Sequence, residues 1–283
     1  MLTSTRDLLR QAQAGGYAVG AFNIYNLEGA TAVVEAAEEL SSPVILQLLP
    51  SALQIGGRPL VAMCLEMGRS ASIPAVVHLD HCSSEGILSF ALECGCSSVM
   101  ADGSELEYER NIQFTRNIVA EAKKYGAAVE AELGKLSGVE DGITVAAREA
   151  QLTIPAQAAE FVHKTGVAAL AICIGNIHGK YARKPNLDFD RLSDIADSVE
   201  VPLVLHGTSG LPDEMITKSI ELGICKFNVN TEIRSAYLAA MADCFTIASK
   251  VELIDIMQRS IEAMKEPIRQ KLRLFRSSGK GGE

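Results

Sequence analysis

Short runs of aliphatic and β-branched residues recur along the chain, separated by longer stretches whose apolar residues fall three and four apart. Eight of the short runs are predicted as strands: Ala18–Ile24, Val44–Leu49, Ala75–Asp80, Ser98–Gly103, Ala127–Leu133, Ala169–Gly175, Leu203–Gly207 and Cys225–Asn230. Continuous apolar runs of this length mark parallel strands buried on both faces. The intervening stretches, such as Leu27–Glu39 and Ala156–Lys164, carry helical spacing. Pro43, Pro74 and Pro202 stand just before strands, where proline ends a helix without costing a ladder hydrogen bond.

Strand alternating with helix implies a parallel sheet. Eight repeats favour an α/β fold of the closed (β/α)8 type, a TIM barrel, formed as a single domain over residues 1–283. An open doubly wound sheet would want a G-x-G-x-x-G turn after the first strand, and none is there. The closing segment Ser277–Glu283 reads as frayed or lid-like.

Composition narrows the function. The formal charge of −9 argues against a sequence-independent polyanion binder, so no nucleic-acid partner is expected. A small phosphorylated substrate remains compatible, because one local pocket suffices to hold it. Seven cysteines, an odd number without a C-x-x-C pair, argue against the disulfide framework of a secreted protein. No signal segment opens the chain and no apolar run is long enough to span a bilayer, so a cytoplasmic protein without membrane association is expected.

In such barrels the carboxyl ends of the strands carry function. Here those ends supply Asn23, Asp80 with His81, Asp102, Glu130 with Glu132, His178, His206, and Asn228 with Asn230. Three histidines on separate strands, His81, His178 and His206, point to a metal, with zinc the first candidate and an open fourth position for catalysis. His78 lies three residues before His81, so it is expected on the opposite face in a packing or supporting role, and His163 falls in a helix. Asp80 reads either as a capping or ion-pairing acid or as a general acid/base. Glu130 and Glu132 share one face of a strand and would repel unless a cation lay between them or a barrel Lys or Arg paired with them. The Gly134–Gly142 segment is polar and glycine-rich, a solvated loop by default that could bring Glu140 over a substrate. Gly207-Thr208-Ser209 and Asn228-Val229-Asn230-Thr231 follow the last two strands, where barrels often hold a phosphate through backbone N–H groups and small hydroxyls. Thr231 also opens a predicted helix, whose N-terminus favours an anion.

Taken in order, Ala18–Asn23, His78-Leu-Asp-His81, Ser98–Gly103, Val129–Gly134, Val139–Gly142, Ile174–Gly179, Leu203–Gly207 and Asn228–Thr231 resemble the class II, metal-dependent ketose-bisphosphate aldolases. The resemblance runs from about residue 3 to the C-terminus and implies that His81, His178 and His206 hold the catalytic zinc. It implies that Asp80 is the acid/base at the C4 hydroxyl and that Asp102 and Glu132 belong to a second or alternate divalent site. Glu140 matches a mobile-loop glutamate that handles the C3 proton. Gly179, Gly207, Thr208, Ser209, Asn228, Val229, Asn230 and Thr231, with Asn23 at the rim, match the substrate site, which in the family often includes a monovalent cation such as Na⁺ or K⁺.

The implied reaction cleaves a ketose 1,6-bisphosphate, leaning to fructose over tagatose, into dihydroxyacetone phosphate and glyceraldehyde 3-phosphate. That places it in central carbohydrate metabolism such as glycolysis. A homodimer or homotetramer is expected by the same likeness. The charge left by C–C cleavage needs either a Lewis-acid metal or a lysine Schiff base. Strand Ala169–Gly175 has no lysine and Lys226 precedes a site asparagine, so the metal route is expected. Leu49 replaces a usual Ser or Thr beside the aldehyde half, and Cys82 replaces a usual Gly or His. These departures leave room for another phosphorylated ketose, and a non-catalytic partner subunit is a further alternative that the complete set of ligands and acids disfavours.

Overall fold

A computed structural model describes residues 1–140, 143–145, 151–178, 185–247 and 252–282; for 137–140, 143–145, 178 and 247 it describes the backbone alone. Its strands are β1 Val19–Asn23, β2 Val44–Leu48, β3 Ala75–Cys82, β4 Ser98–Ala101, β5 Ala128–Leu133, β6 Ser137–Glu140, β7 Ile143–Val145, β8 Ala169–Ile172, β9 Ile177–His178, β10 Leu203–Leu205 and β11 Ile224–Val229. The helices are α1 Thr5–Gly15, α2 Leu27–Glu39, α3 Pro50–Ser70, α4 Glu85–Glu93, α5 Tyr108–Ala122, α6 Pro155–Thr165, α7 Phe189–Ser198, α8 Asp213–Glu221, α9 Thr231–Ile247 and α10 Leu253–Leu274.

Eight strands close into a barrel in the order β1-β11-β10-β8-β5-β4-β3-β2, and every neighbouring pair is parallel. This is the expected (β/α)8 fold. Alternation along each strand sorts its side chains. Phe22, Leu46, Leu79, Ile172 and Phe227 face outward into the layer beneath the helices, each burial worth about 1.5–3 kcal/mol. Val19, Ile45, Val76, Ala171 and Val204 face inward, and Leu8, Leu9 and Ala12 of α1 join them. α1 therefore closes the floor, with Ser4 capping its start and Gly16 at φ 64° ending it.

Above that apolar floor the interior turns polar: Gln47, His78, Ser98, Glu130 and Lys226 are all buried. Two irregularities in strand register shape this part. Between β3 and β4 the register passes from Leu79↔Val99 to Cys82↔Ala101, so β3 spends three residues where β4 spends two. Between β10 and β11 it passes from Leu203↔Ile224 to Val204↔Lys226, which leaves Cys225 as the extra residue. Bulges of this kind bend a strand and re-aim its side chains.

The C-terminal tail departs from its expected frayed or lid-like state. Ser277 is fully buried, its hydroxyl accepting from Ser42 Oγ at 2.7 Å and donating to the Leu272 carbonyl at 3.0 Å. Gly279 N–H and Gly281 N–H donate to the carbonyls of Leu40 and Ser41. Those residues precede β2, so the tail is tied to the amino-terminal end of the barrel, away from the strand ends that carry function.

Candidate active site

At the end of β3 the backbone itself assembles two functional side chains. Val76, His78 and Asp80 alternate into the interior, and a regular strand would send His81 outward. Instead His81 takes φ 44°, a left-handed conformation uncommon for a residue with a side chain, within the β3 bulge. Asp80 and His81 thus both face the barrel mouth. Strain of this kind concentrates at functional positions.

His81 Nδ1 lies 2.8 Å from Asp102 Oδ2 and 3.9 Å from Glu132 Oε2. The His81 and His206 rings meet edge to face with centroids 4.6 Å apart. His206 reaches two carboxylates: Nδ1 is 3.3 Å from Glu132 Oε2, and Nε2 is 2.9 Å from Glu130 Oε1. Asp80, His81 and His206 form one group of convergent ligand atoms, and His81, Asp102 and Glu132 form another, each within 4.8 Å. Glu132 Oε2 is buried and none of its contacts has hydrogen-bond geometry. A buried carboxylate oxygen facing two imidazoles is a donor set that suits a divalent cation.

The electrostatics agree. Burial would lower the His81 ring, yet Asp80 and Asp102 outweigh it and raise that ring well above the ordinary histidine range. For Asp102 burial pushes upward, but hydrogen bonds from His81 and Ser104 hold it far below the usual carboxylate range. Surplus negative charge around two imidazoles attracts positive charge.

Asp80 itself is held by Asn228, whose Nδ2 donates to both carboxylate oxygens at 2.9 and 3.1 Å. His78 Nδ1 lies 2.8 Å from Ser98 Oγ, and its Nε2 is 4.0 Å from Asp80. Burial, then Lys226, pushes the His78 ring down to about 4, so it stays neutral at physiological pH. The three-residue spacing predicts the face opposite His81, but both rings reach the interior, because the β3 bulge and the left-handed His81 turn that residue inward.

Glu130 and Glu132 part company. Lys226 Nζ lies 3.0 and 3.1 Å from the two oxygens of Glu130, while Glu132 faces the histidines. Of the partners anticipated for the carboxylate pair, the barrel lysine is the one present, and it takes Glu130. An ion-paired Lys226 is not a nucleophile for a Schiff base.

β9 places the backbone of His178 on the rim, where Gly138 of β6 pairs with it. β6 in turn pairs antiparallel with β7. The stretch expected as a loop is thus partly a hairpin, and Asp141-Gly142 between alternating apolar residues is the sequence signal that marks one. Gly179 and the side chains of His178 and Glu140 lie outside the described residues.

At the expected phosphate loops, the Thr208 hydroxyl donates to the Asn228 carbonyl and Ser209 Oγ donates to Glu232. Both hydroxyls are committed to protein acceptors here, which shifts the expected anion contacts toward backbone N–H groups around Gly207. Val229 is buried in the outer layer, so only its backbone can serve the site. Asn230 is buried and accepts from Tyr25 at 3.1 Å, and Thr231 begins α9 as expected. Asn23 Oδ1 accepts from Gln47 at 2.8 Å, while its Nδ2 is a buried donor with no hydrogen-bond partner among the described residues. Asn176 was not anticipated as a site residue. Its amide donates to the His206 carbonyl at 3.0 Å and accepts from Ile174 N–H at 2.8 Å, which fixes the histidine's backbone. A polar residue following Gly175 at a strand end was the available signal.

Comparison with known proteins places the chain in a family. The chain matches the family described as fructose-bisphosphate aldolase class II over residues 3–280. It is similar to the YdjI aldolase of Escherichia coli K12, with 35% identity, a TM-score of 0.88, and coverage of 99% of this chain and 100% of that one. A protein assigned as a fructose-1,6-bisphosphate aldolase from Coccidioides immitis is also 35% identical, with a TM-score of 0.93 and coverage of 98% and 97%. Fructose-bisphosphate aldolase from Campylobacter jejuni shares the fold at 20% identity and a TM-score of 0.80, over 99% and 97% of the two chains. Barrel, site and sequence lead to one assignment: the chain belongs to the class II fructose-bisphosphate aldolase family.

Proposed function

We propose that this aldolase reversibly cleaves a ketose 1,6-bisphosphate, fructose 1,6-bisphosphate first among the candidates, to dihydroxyacetone phosphate and glyceraldehyde 3-phosphate. The observation that carries this reading is the meeting of His81, His206 and Glu132 beside Asp80 at the barrel mouth. His81, His206 and, by the family likeness, His178 would hold zinc, with Asp102 and Glu132 able to take a second or alternate divalent position. When bound, zinc supplies Lewis-acid polarisation of the substrate's carbonyl and adjacent hydroxyl oxygens.

The protein's own groups handle the protons. Asp80 removes the proton from the C4 hydroxyl as the C3–C4 bond breaks, and returns it in the condensation direction. Asn228 keeps both oxygens of that carboxylate aligned. Glu140 delivers the proton to C3 after cleavage. The Gly207–Ser209 and Asn228–Thr231 segments hold the phosphate of the dihydroxyacetone half.

A second reading, cleavage of another phosphorylated ketose such as tagatose 1,6-bisphosphate or one with a different distal end, is favoured by Leu49. This residue follows Leu48, the last residue of β2, is buried, and caps α3 without a side-chain hydrogen bond. It presents hydrocarbon where a hydroxyl would contact a polar distal group.

Assay of a panel of ketose mono- and bisphosphates, before and after chelation, tests both. The proposal expects cleavage of fructose 1,6-bisphosphate, abolished by EDTA and restored by Zn²⁺. EDTA-insensitive cleavage with borohydride trapping of substrate would overturn the metal route. A preference for another ketose would leave the chemistry in place and move the substrate to the second reading.

A further inference from the structure

An ion pair in the middle of the barrel needs an explanation that folding does not supply. Lys226 is fully buried, and its Nζ contacts both oxygens of Glu130 at 3.0 and 3.1 Å. A buried ion pair of this kind is usually no more stabilising than apolar side chains of the same volume. Val76, Met100, Ala171 and Val204 fill the interior nearby, so apolar packing was an accessible solution.

The geometry shows what the pair acts upon. Glu130 Oε1, already gripped by Lys226, lies 2.9 Å from His206 Nε2. A carboxylate only accepts, so Nε2 must carry a proton. A ring that ligates a metal is neutral and offers one bare nitrogen; with Nε2 protonated that nitrogen is Nδ1, which faces Glu132 Oε2 at 3.3 Å and the space shared with His81. Lys226 holds the carboxylate by both oxygens and thereby fixes the direction from which it meets the imidazole. Asn176 fixes the same residue's backbone through the His206 carbonyl.

We infer that Lys226 and Glu130 are positioning residues which set His206 in its Nε2–H form, so that Nδ1 is presented to the metal. This rests on the zinc-aldolase reading above. Partners that orient a ligating histidine in this way typically change metal affinity about 10- to 100-fold when removed.

The test separates positioning from mere charge burial. Glu130→Leu/Lys226→Met replaces the ion pair by apolar side chains and removes the acceptor from Nε2. Zinc affinity, read by competition with a chromophoric chelator, is expected to fall about 10- to 100-fold while the melting temperature stays near that of the parent. Glu130→Gln/Lys226→Met restores an amide oxygen as acceptor with no ammonium opposing it, and is expected to recover most of the affinity. Unchanged zinc affinity in Glu130→Leu/Lys226→Met would overturn the inference while leaving the zinc reading intact. If that variant fails to fold, long-range ¹H–¹⁵N NMR of the zinc-loaded parent, labelled at histidine, decides: metal on Nδ1 with Nε2 protonated is expected, and metal on Nε2 would overturn it. A parent protein that takes up no zinc would remove both the zinc reading and this inference.

Discussion

Asn228 donates one amide nitrogen to both oxygens of Asp80, at 2.9 and 3.1 Å, and the two residues come from strands on different sides of the barrel mouth. A bifurcated grip of this kind removes the free rotation of a carboxylate that must receive a proton in a defined direction. Asn228→Ala is therefore expected to lower kcat about 10-fold or more and leave zinc content unchanged, whereas Asp80→Asn removes the proton acceptor and is expected to cost about 10²- to 10⁴-fold. Steady-state kinetics with metal analysis on the same preparations check this. Equal kcat in Asn228→Ala and the parent would show that Asp80 needs no such alignment.

His78 makes stability depend on pH with a definite sign. Burial, then Lys226, lowers its pKa from an ordinary 6.5 to about 4 in the folded protein. The unfolded chain then binds more protons between these two values, so stability rises with pH across that window. It is lost as pH falls from 6.5 toward 4, by roughly 3 kcal/mol at the lower end. Urea unfolding at pH 7 and pH 5 is expected to show a smaller difference for His78→Gln than for the parent. An identical pH dependence would mean that His78 is not held neutral.

Gly134 follows Leu133, the last residue of β5, two residues after Glu132; its φ is 97°, and a Cβ there would stand 2.8 Å from both the Gln151 carbonyl oxygen and Cys173 Cβ. Backbone conformation and crowding both oppose a side chain. Gly134→Ala is expected to cost about 1–3 kcal/mol from the conformation alone, with more from the contact. It should also displace Glu132, so lowered zinc affinity is expected alongside the lowered melting temperature. A variant as stable as the parent would show that this turn tolerates rearrangement.

The barrel was legible because its strands are buried on both faces and read as continuous apolar runs. Their ends were less so. The run Ala169–Gly175 keeps its apolar character beyond the last strand residue, Ile172, but Cys173 N–H and its carbonyl bond to Thr153 instead of to a neighbouring strand. Such a long-range side-chain competitor leaves no trace in a local pattern. His81 facing inward beside Asp80 depends on a bulge and a left-handed residue, which alternation along β3 would deny. The choice of Glu130 over Glu132 as partner of Lys226 depends on register around the barrel, including the extra residue Cys225. The site's members were visible at strand ends; their pairings were a property of closure.

The central claim is that imidazoles delivered by separate strands share a divalent cation at the barrel mouth. Crystals of the zinc-loaded protein, measured on both sides of the zinc absorption edge, test it most directly. The account predicts one strong anomalous peak about 2.0–2.1 Å from nitrogens of His81, His178 and His206, with Asp80 beside it. Zinc found elsewhere on the protein, or no peak in fully active crystals, would contradict it.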